Sequence, residues 1–339
     1  MSEPVLDVRD LRVEIPTGRG VVHAVDGASF SVRRGEALGL VGESGSGKSM
    51  TLRAILGLLP HPGRITGGQV LYRGVDLTTL PDRDLIDVRG GEISMIFQEP
   101  MTALNPVMRV GEQIAEAPMV HLGFNRSRAQ ERALDLMGTV GIPDPERRAR
   151  SYPHEFSGGM RQRVMIAIAL SCEPKLILCD EPTTALDVTI QDQILKLLVA
   201  LCQDLSASLV FVTHDLAVVA QTCRQLAVMY AGQVVETGTV DAVFRSPRHP
   251  YTLGLLRSVP DLDAVRESLI PIPGSPPDLV HPPAGCRFHP RCAFVRDDCR
   301  TGDLPLRPVE VDHSTSCIHD EVCIESVRRS PVIAGGKHA

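Results

Sequence analysis

Eight consecutive residues near the start of the chain have the types and spacing needed to bind phosphate groups. They begin at Gly42 and follow the pattern G-x-x-x-x-G-K-S, with an apolar run before them and a helical pattern after them. Glycines allow backbone N–H groups to turn inward around an anion at the positively polarised start of a helix. Lys48 supplies a charge for the terminal phosphates, and the Ser49 hydroxyl is a ligand for Mg²⁺. The pattern therefore predicts a nucleoside triphosphate site formed by Gly42, Ser44, Gly45, Gly47, Lys48 and Ser49.

Two neighbouring carboxylates could complete the chemistry of phosphate hydrolysis. Asp180 and Glu181 directly follow the apolar run at 176–179, and a buried strand of that kind would bring both to the edge of a sheet. Asp180 is predicted to bind Mg²⁺ through its outer shell, and Glu181 is predicted to polarise the attacking water. Because strands often end in solvated acidic residues, this prediction depends on the phosphate loop that precedes it in the chain.

A second anion site is predicted at Ser157, Gly158 and Gly159, just before a helical run at 164–170. A hydroxyl and bare backbone N–H groups at a helix N-terminus attract a phosphate. Ser-Gly-Gly ahead of a helix, shortly before an apolar run that ends in Asp-Glu, is typical of the ATP-binding-cassette (ABC) ATPases, and the chain resembles that family. In that family the motif faces the γ-phosphate held by a partner subunit, so the resemblance implies that this chain works as a dimer.

The resemblance implies roles for further residues. Gln98 follows a strand and matches the glutamine that links Mg²⁺ to an inserted helical region, so it is expected to bind the metal and to take part in catalysis. Residues 184–187 match the loop that contacts the partner subunit, with Asp187 at the nucleotide. His214 matches the histidine that senses the γ-phosphate and is expected to be catalytic. The resemblance extends from residue 5 to about residue 240.

One feature departs from the family pattern. Family members usually have an aromatic residue upstream of the phosphate loop that stacks on adenine, whereas the first aromatic residue of this chain is Phe30. Guanidinium and imidazole planes can also stack on a ring, so Arg19 and His23 are the alternatives for covering the base.

The elements that position these groups read as strands alternating with helices, which is the pattern of a parallel sheet core. Polar and apolar residues alternating at period two predict short strands at 5–8, 11–15 and 28–32. The helix after the phosphate loop is expected to run to Leu59, where prolines follow. From about 109 to 172 the pattern is helical and more charged, which indicates an inserted helical subdomain over about 100–172. The expected fold is α/β: an ABC-type P-loop ATPase core over residues 1–244, with an antiparallel β subdomain and an inserted α-helical subdomain.

The composition is that of a globular protein. The chain has 339 residues, 43% hydrophobic and 22% charged, with a net charge of −6, so it can bury a sizeable core and has no basic excess for nucleic acid. No apolar stretch reaches the roughly 20 residues of a membrane-spanning helix, and the N-terminus lacks the basic and apolar regions of a signal peptide. We therefore expect a cytosolic protein that reaches the membrane through a partner and has no nucleic-acid partner.

Beyond residue 244 the composition shifts towards proline and cysteine, which we assign to a C-terminal extension over residues 245–339. The runs R-H-P-Y-T at 248–252, P-I-P-G at 271–274 and G-C-R-F-H-P-R-C at 285–292 resemble the extension of D-type ATP-binding subunits in oligopeptide and dipeptide importers. Some nickel importers share this branch of the family. The prolines exclude a long helix or a central strand, and the segment is expected to be too small to bury a core of its own.

Five of the nine cysteines crowd this extension. In a reducing cytosol such a cluster favours metal binding over disulfides, and four thiolates suit either tetrahedral zinc or a cubane iron–sulfur cluster. In the family that the chain resembles these positions can hold a 4Fe–4S cluster, with structural zinc and free structural thiols as the alternatives. Cys323 is a possible substitute ligand, and His289 and His313 would be ligands mainly of zinc. The predicted cluster ligands are Cys286, Cys292, Cys299 and Cys317.

These features together predict an ATP-hydrolysing subunit that powers the uptake of dipeptides or oligopeptides, with ATP and Mg²⁺ as cofactors beside the metal centre. The expected partners are a second ABC ATPase in a heterodimer, two transmembrane permease subunits and an extracytoplasmic solute-binding protein, at the cytoplasmic face of the bacterial inner membrane. Nickel import is the alternative within the same branch. A non-transport cassette ATPase acting on ribosomes or DNA is the alternative from another class, but those proteins carry two cassettes or a long coiled-coil insertion, and this sequence has neither.

Overall fold

The computed structural model describes residues 3–183, 187–258 and 271–329, in which strands alternate with helices. The strands are β1 (Pro4–Thr17), β2 (Gly20–Arg33), β3 (Ala37–Val41), β4 (Arg64–Tyr72), β5 (Val75–Asp76), β6 (Ile93–Ile96), β7 (Leu176–Asp180), β8 (Ser208–Thr213), β9 (Gln225–Tyr230), β10 (Gln233–Thr239), β11 (Arg307–Glu310) and β12 (His313–Thr315). The helices are α1 (Lys48–Ile55), α2 (Asp82–Val88), α3 (Pro100–Ala103), α4 (Val110–His121), α5 (Arg126–Thr139), α6 (Pro145–Arg148), α7 (Gly158–Leu170), α8 (Val188–Asp204), α9 (Leu216–Thr222), α10 (Val240–Arg245), α11 (Pro250–Arg257) and α12 (Glu321–Arg329). None of the helices in the described ranges is long and apolar enough to cross a membrane.

The chain divides into two compact units, each built from several segments of the sequence. The segments of the first unit are Met1–Val5, Val32–Ala37 and Thr79–Val212. The segments of the second unit are Leu6–Ser31, Leu38–Thr78 and Thr213–Ala339. The second unit therefore combines the N-terminal strands, the phosphate loop and the described part of the C-terminal extension.

Three parallel strands, β6, β7 and β8, form the sheet of the first unit. Cys179 in the central strand pairs with Ile96 on one side and with Phe211 on the other, and all three side chains are buried. Continuous apolar runs are expected of parallel strands that are covered on both faces. Helices α3 to α7 lie between β6 and β7 in the sequence, and α4, α5 and α7 pack on one another. Because parallel strands end at the same edge, residues that follow β6 and β7 lie near each other.

In the second unit, the phosphate loop follows strand β3 of the sheet. The strands of the C-terminal extension lie at the edge of the sheet, beyond β10. Strand β3 runs parallel to β9, and β10, β12 and β11 continue from β9 in antiparallel pairs. Glu236 of β10 pairs with Thr315 of β12, so the extension adds strands to this sheet. A separate sheet has the order β2-β1-β4-β5, with antiparallel pairing of β1 to β4 and of β4 to β5. The predicted α/β class with an antiparallel sheet is confirmed.

The N-terminal region differs from its prediction. The sequence predicts two short strands at 5–8 and 11–15, whereas the structure has one strand, β1, across both. Asp10 adopts a left-handed φ of 46°, and the pairing with β4 is irregular between Arg9 and Arg12. An irregularity of this kind interrupts the period-two alternation without ending the strand, which explains why the two halves read as separate strands.

Helix α1 is shorter than predicted, since it ends at Ile55 rather than at Leu59. Gly57 adopts a left-handed φ of 61° and donates its N–H to the Ala54 carbonyl at 3.0 Å. The Leu58 N–H donates to the Arg53 carbonyl at 2.7 Å. These two bonds form a Schellman motif, which satisfies the last carbonyls and stops the helix at a glycine before any proline is reached.

The described part of the C-terminal extension shares a hydrophobic core with the second unit. Tyr251, Leu256 and Phe288 are buried with Val228 and Tyr230 of strand β9. Burying each large apolar side chain contributes about 1.5–3 kcal/mol. The extension is expected from its sequence to be too small to bury a core of its own. In the structure its apolar side chains are buried against strand β9, so it completes the core of that sheet.

Candidate nucleotide site and cysteine centre

The phosphate loop connects the buried strand β3 to helix α1 in the second unit. Gly42 and Gly47 adopt φ values of 156° and 103°, which residues with a Cβ rarely adopt. A Cβ at Gly42 would collide with the Met229 carbonyl oxygen, and a Cβ at Gly47 would collide with the Ala24 carbonyl oxygen. The loop therefore requires glycine at both positions, because backbone from strands β2 and β9 occupies the space.

Lys48 is buried inside the loop that it was predicted to serve. Its ammonium group donates to the carbonyl oxygens of Gly42 at 2.8 Å and Glu43 at 3.0 Å. A buried ammonium must be hydrogen-bonded, and the loop itself supplies these acceptors. The positive charge is therefore held at the first turn of α1, where the helix N-terminus also favours an anion.

The remaining predicted phosphate ligands lie along the same loop. Ser44 and Gly45 form its exposed part, whereas Ser49 is the second residue of α1 and is half-buried. The backbone of the loop is closed by a hydrogen bond from the Ser46 N–H to the Glu43 carbonyl at 3.2 Å. The structure thus keeps all six predicted loop residues on one strand–turn–helix unit.

Glu43, inside the loop, is held by the C-terminal extension. Its backbone N–H donates to the Tyr251 hydroxyl at 2.8 Å, and its carboxylate accepts hydrogen bonds from the Arg291 guanidinium at 2.6 and 3.0 Å. The sequence predicts neither Tyr251 nor Arg291 as a site residue. The one available signal is the presence of Arg291 in the conspicuous run at 285–292, where the cysteines draw attention first.

In the first unit, the strand ends bring Gln98 beside Glu181. The Gln98 side-chain amide donates to a carboxylate oxygen of Glu181 at 3.3 Å. Asp180 ends strand β7 and is 2% exposed. Glu181 adopts a left-handed φ of 44° and donates its N–H to the Val212 carbonyl at 3.0 Å. A non-glycine residue in this conformation carries about 1–3 kcal/mol of strain, and such residues cluster at functional sites.

The Ser-Gly-Gly motif forms the start of helix α7 in the first unit. Ser157 is the N-cap, and its hydroxyl accepts a hydrogen bond from the Met160 N–H at 3.4 Å. Gly158 and Gly159 form the first turn, and Ser157 and Gly158 are exposed. The motif is therefore an accessible helix N-terminus, which is the geometry that an anion site of this kind requires.

Two further predicted residues also stand at the start of elements. The carboxylate of Asp187 caps helix α8 by accepting a hydrogen bond from the Ile190 N–H at 2.9 Å. The other residues of the predicted partner-contact loop, 184–186, lie outside the described residues. His214 directly follows strand β8 in the sequence. The roles of Asp187 and His214 towards a nucleotide stay predictions.

The two residues considered for covering the base lie near the turn between β1 and β2. The Arg19 side chain is largely exposed and lies 3.6 Å from the Asp278 carboxylate. A ring nitrogen of His23 lies 3.8 Å from the Glu14 carboxylate, and the His23 backbone N–H donates to the Leu279 carbonyl at 2.9 Å. Residues of the C-terminal extension therefore pack against this turn as well.

A small cavity in the extension brings the four predicted cysteines together. Cys286, Cys292, Cys299 and Cys317 all line it. Burial raises the pKa of the Cys286 thiol to about 11 and that of Cys317 to about 12, and repulsion from the neighbouring cysteines adds to both shifts. Apolar residues form much of the remaining wall, so the four thiols share one poorly solvated space.

The three alternative metal ligands differ in whether they line the cysteine cavity. His289 lines the same cavity. Cys323 is fully buried and is not among the residues that line it. His313 is also buried away from the cavity lining, where a ring nitrogen lies 2.8 Å from the Glu236 carboxylate. Of the three alternatives that the sequence offers, His289 is the one that lines the cavity with the four cysteines.

The phosphate loop between β3 and α1 and the carboxylates that end β7 define an ATP-binding cassette. A family model described as "ABC transporter" matches residues 25–184, and one described as "Oligopeptide/dipeptide transporter, C-terminal region" matches residues 235–299. Curated relatives are about 50% identical to this chain over most of its length. The chain belongs to the ABC transporter family and is an ABC-type ATPase.

Curated relatives share most of the sequence. The oligopeptide transport ATP-binding protein OppD of Bacillus subtilis is 53% identical over 293 residues, which are 86% of this chain and 82% of the relative. The dipeptide transport ATP-binding protein DppD of Bacillus subtilis is 51% identical over 326 residues, covering 92% of this chain and 97% of the relative. DppD of Escherichia coli is 48% identical over 313 residues, covering 92% and 96%.

Solved structures with the same fold include two ATP-binding cassettes. The ATP-binding cassette MJ0796, in a dimeric post-hydrolysis state bound to ADP and Pi, is 27% identical with a TM-score of 0.63, over 69% of this chain and 98% of that chain. CbiO1 from Clostridium perfringens, part of the cbiONQ ABC transporter complex, is 27% identical with a TM-score of 0.60, over 72% and 91%. The cassette fold therefore covers about 70% of the chain.

Proposed function

We propose that this chain is the ATP-hydrolysing subunit of an importer for dipeptides or oligopeptides. The observation that carries the proposal is the phosphate loop, with the Lys48 ammonium buried against the loop carbonyls. The relatives described above are named for oligopeptide or dipeptide transport, which favours peptide over nickel as the cargo. The match of residues 235–299 to the C-terminal region of peptide transporters argues against a role on ribosomes or DNA.

In the proposed mechanism the loop N–H groups and Lys48 hold the terminal phosphates of ATP. Ser49, Gln98 and Asp180 are the residues that would hold Mg²⁺, and their hydroxyl, amide and carboxylate oxygens are the ligands that this cation prefers. When bound, Mg²⁺ neutralises charge that develops on the phosphates. The low exposure of Asp180 suits a carboxylate that is balanced by a cation.

The proposed general base is Glu181. A hydrogen bond from the Gln98 amide orients the Glu181 carboxylate. The Glu181 carboxylate would take a proton from the attacking water. His214 would contact the γ-phosphate as a hydrogen-bond donor. In this proposal Glu181 deprotonates the water, Gln98 orients Glu181, and His214 senses the γ-phosphate.

A dimer is proposed because one chain holds one phosphate loop and one Ser-Gly-Gly motif. Ser157, Gly158, Gly159 and Asp187 start helices α7 and α8, and we propose that they contact the nucleotide of a second ATPase subunit, in a heterodimer. Two permease subunits and an extracytoplasmic solute-binding protein complete the proposed complex, in which this chain lies peripherally at the cytoplasmic face of the bacterial inner membrane.

The assembled complex in proteoliposomes tests the cargo. We expect the ATP hydrolysis rate to rise when the solute-binding protein carries a dipeptide or oligopeptide, and labelled peptide to accumulate on the far side of the membrane. Nickel in place of peptide serves as the matched control and is expected to leave the rate unchanged. Stimulation by nickel alone would assign the chain to the nickel branch, and a rate indifferent to both would contradict import.

We propose further that the four cysteines hold a 4Fe–4S cluster. A zinc ion bonded to sulfur at about 2.3 Å would bring its four sulfurs to within roughly 4 Å of one another. Within the described ranges, no three cysteine sulfurs lie within 4.8 Å of one another. A cubane binds each thiolate through a different iron, so its ligands lie farther apart than those of a single zinc ion. The spacing of the cysteine sulfurs therefore favours the cluster.

The zinc alternative has one specific observation in its favour. Ligand atoms of Asp298, Cys299 and His319 lie within 4.8 Å of one another, although Asp298 is exposed. That group uses one of the four cysteines and leaves Cys286, Cys292 and Cys317 without a role. In either case the proposed contribution is structural, because metal ligation would tie together a proline-rich segment and add to the free energy of folding.

Metal analysis of the full-length chain tests the cluster. Anaerobically purified protein is expected to be brown and to contain about four iron and four sulfide per chain. Cys292→Ser should lower the iron content, whereas Cys202→Ser, at a buried cysteine of helix α8, should leave it unchanged. Colourless protein with about one zinc per chain would support the structural zinc site instead. Protein with neither metal would contradict both.

A further inference from the structure

The contact between Arg291 and Glu43 has no place in the hydrolysis mechanism, yet it reaches into the phosphate loop. Both terminal nitrogens of Arg291 donate to the Glu43 carboxylate, at 2.6 and 3.0 Å. The Arg291 side chain is 5% exposed and the Glu43 side chain is 28% exposed. A bidentate pair of this kind is charge-assisted, directional and less screened by water than a surface ion pair.

Arg291 is fixed by other groups of the extension and of the sheet. Its Nε donates to the Pro273 carbonyl at 2.8 Å, and one terminal nitrogen lies 3.3 Å from the Tyr230 hydroxyl. Its guanidinium also lies 5.9 Å from the centre of the Phe288 ring. Because its hydrogen-bonding groups are occupied in one geometry, the guanidinium acts as a rigid anchor for Glu43 rather than as a mobile surface charge.

The main chain of Glu43 is held as well. Its N–H donates to the hydroxyl of Tyr251, which is fully buried and packs against Tyr230 and Phe288 with ring centres 4.5 and 5.4 Å apart. Side chain and backbone of the same loop residue are therefore both bound to the extension.

The position of Glu43 in turn affects the lysine that serves the phosphates. The Glu43 carbonyl accepts a hydrogen bond from the Lys48 ammonium at 3.0 Å and another from the Ser46 N–H at 3.2 Å. A shift of Glu43 would displace an acceptor of Lys48 and open the turn that aims the loop N–H groups. Binding of phosphates by such a loop depends on this preorganised geometry.

We propose that Arg291 is a positioning residue for the phosphate loop, so that the C-terminal extension sets the affinity of the chain for ATP by holding Glu43. The proposal rests on the proposed function in that the loop binds ATP. Arg291 directly precedes Cys292 in the sequence, so this side chain links the cysteine segment directly to the phosphate loop.

The test is a double-mutant cycle on the full-length chain, with the dissociation constant of MgATP measured by calorimetry. Arg291→Met and Glu43→Gln are each expected to weaken binding about tenfold, because a hydrogen-bonded charge pair is lost. The double variant should be no weaker than either single variant, since Arg291 acts only through Glu43. Arg291→Lys should fall between wild type and Arg291→Met, because lysine keeps the charge but not the fork.

Arg248→Met is the matched control. Arg248 is a largely buried arginine of the same extension that pairs with Glu310 and with Asp320, the latter at 3.2 Å. Its loss should disturb the extension to a similar degree and leave the MgATP affinity unchanged. In the assembled complex, Arg291→Met should raise the KM for ATP while changing kcat little, because the loop binds the phosphates in ground and transition state alike.

The outcomes separate this proposal from the proposed function. Wild-type chain that does not bind MgATP would refute the proposed function itself. Wild-type binding combined with unchanged binding by Arg291→Met and Glu43→Gln would overturn the positioning role, as would losses that add in the double variant or an equal loss in Arg248→Met. If Arg291→Met does not fold, as judged by circular dichroism, the isosteric Glu43→Gln variant decides alone.

Discussion

At the scale of single residues, Lys48 and Glu181 separate the binding of ATP from its hydrolysis. Glu181→Gln preserves shape and the hydrogen bond site for Gln98 but removes the base, so hydrolysis should fall about 100-fold or more while MgATP affinity persists. Lys48→Ala should instead weaken MgATP binding itself, because a buried charge next to the loop is lost. Hydrolysis rates of the assembled complex and equilibrium binding measure the two effects.

Glu173→Gln is the matched control for this prediction. Glu173 forms an exposed ion pair with Arg132 at 2.8 Å, so its neutral variant should hydrolyse ATP at the wild-type rate. The partner ATPase must carry the equivalent substitution, since its site could otherwise continue to turn over. An unchanged rate in a complex with both glutamates replaced would rule out Glu181 as the base.

At the scale of elements, the end of helix α1 is set by Gly57 rather than by the prolines that follow it. Gly57→Ala should destabilise the protein by about 1 kcal/mol, because alanine resists the left-handed φ of 61°. Gly138→Ala, in helix α5, is the matched control: a Cβ there meets no atom within 4 Å, and the change should be neutral or stabilising. The shift of the urea unfolding midpoint measures both, and equal shifts would contradict the capping role.

The segment between β6 and β7 carries exposed apolar side chains that suit a contact with the permease, one of them in the turn between α3 and α4. Val107 is 83% exposed, and Met101 and Val120 are also exposed. The segment at 99–106, expected to be a loop, contains the short helix α3, which begins at Pro100, and ends at Pro106; it follows Gln98, so it can transmit nucleotide binding to the helices after it as a hinge. We therefore expect the permease to contact the region at about 100–172.

A photo-reactive residue at position 107 tests this contact in the assembled complex. We expect crosslinking from Val107 to a cytoplasmic helix of the permease. Val311, which is 93% exposed in the C-terminal extension, is the matched control and should give no such crosslink. Crosslinking from position 311 and not from position 107 would place the permease contact on the extension instead.

At the scale of the whole molecule, Glu236 anchors the extension to the sheet of the second unit. Its fully buried carboxylate accepts hydrogen bonds from the backbone N–H groups of Arg248 and His249 and lies 2.8 Å from a ring nitrogen of His313. Glu236→Ala would leave these groups unpaired and should cost about 3 kcal/mol. We expect the extension to be cut faster in limited proteolysis followed by mass spectrometry.

Glu310→Ala provides the comparison for Glu236→Ala. Glu310 also pairs with Arg248, but its side chain is half exposed, so its loss should cost less than about 1 kcal/mol. Proteolysis at the wild-type rate in Glu236→Ala would show that the apolar core around Tyr251 and Phe288 holds the extension without this anchor.

Local patterns were enough to predict the elements that carry the candidate site residues. The loop from Gly42 to Ser49, the carboxylates Asp180 and Glu181, and the helix start at Ser157 depend on neighbouring residues and on strand or helix ends, which periodicity and glycine spacing reveal. Parallel pairing of β6 with β7 then follows from the α/β pattern, and it places Gln98 against Glu181.

The sequence by itself therefore determined the family, the strand–loop–helix unit and the cysteines that line one cavity, because each rests on residue type and spacing. Only the tertiary structure decided that the extension completes the core of the second unit and that Arg291 holds Glu43. Those two residues are 248 positions apart, and no local rule pairs one glutamate with one arginine among many. Their contact depends on how Tyr230, Tyr251 and Phe288 pack, since side-chain packing, unlike helix or strand periodicity, is set by the folded chain as a whole.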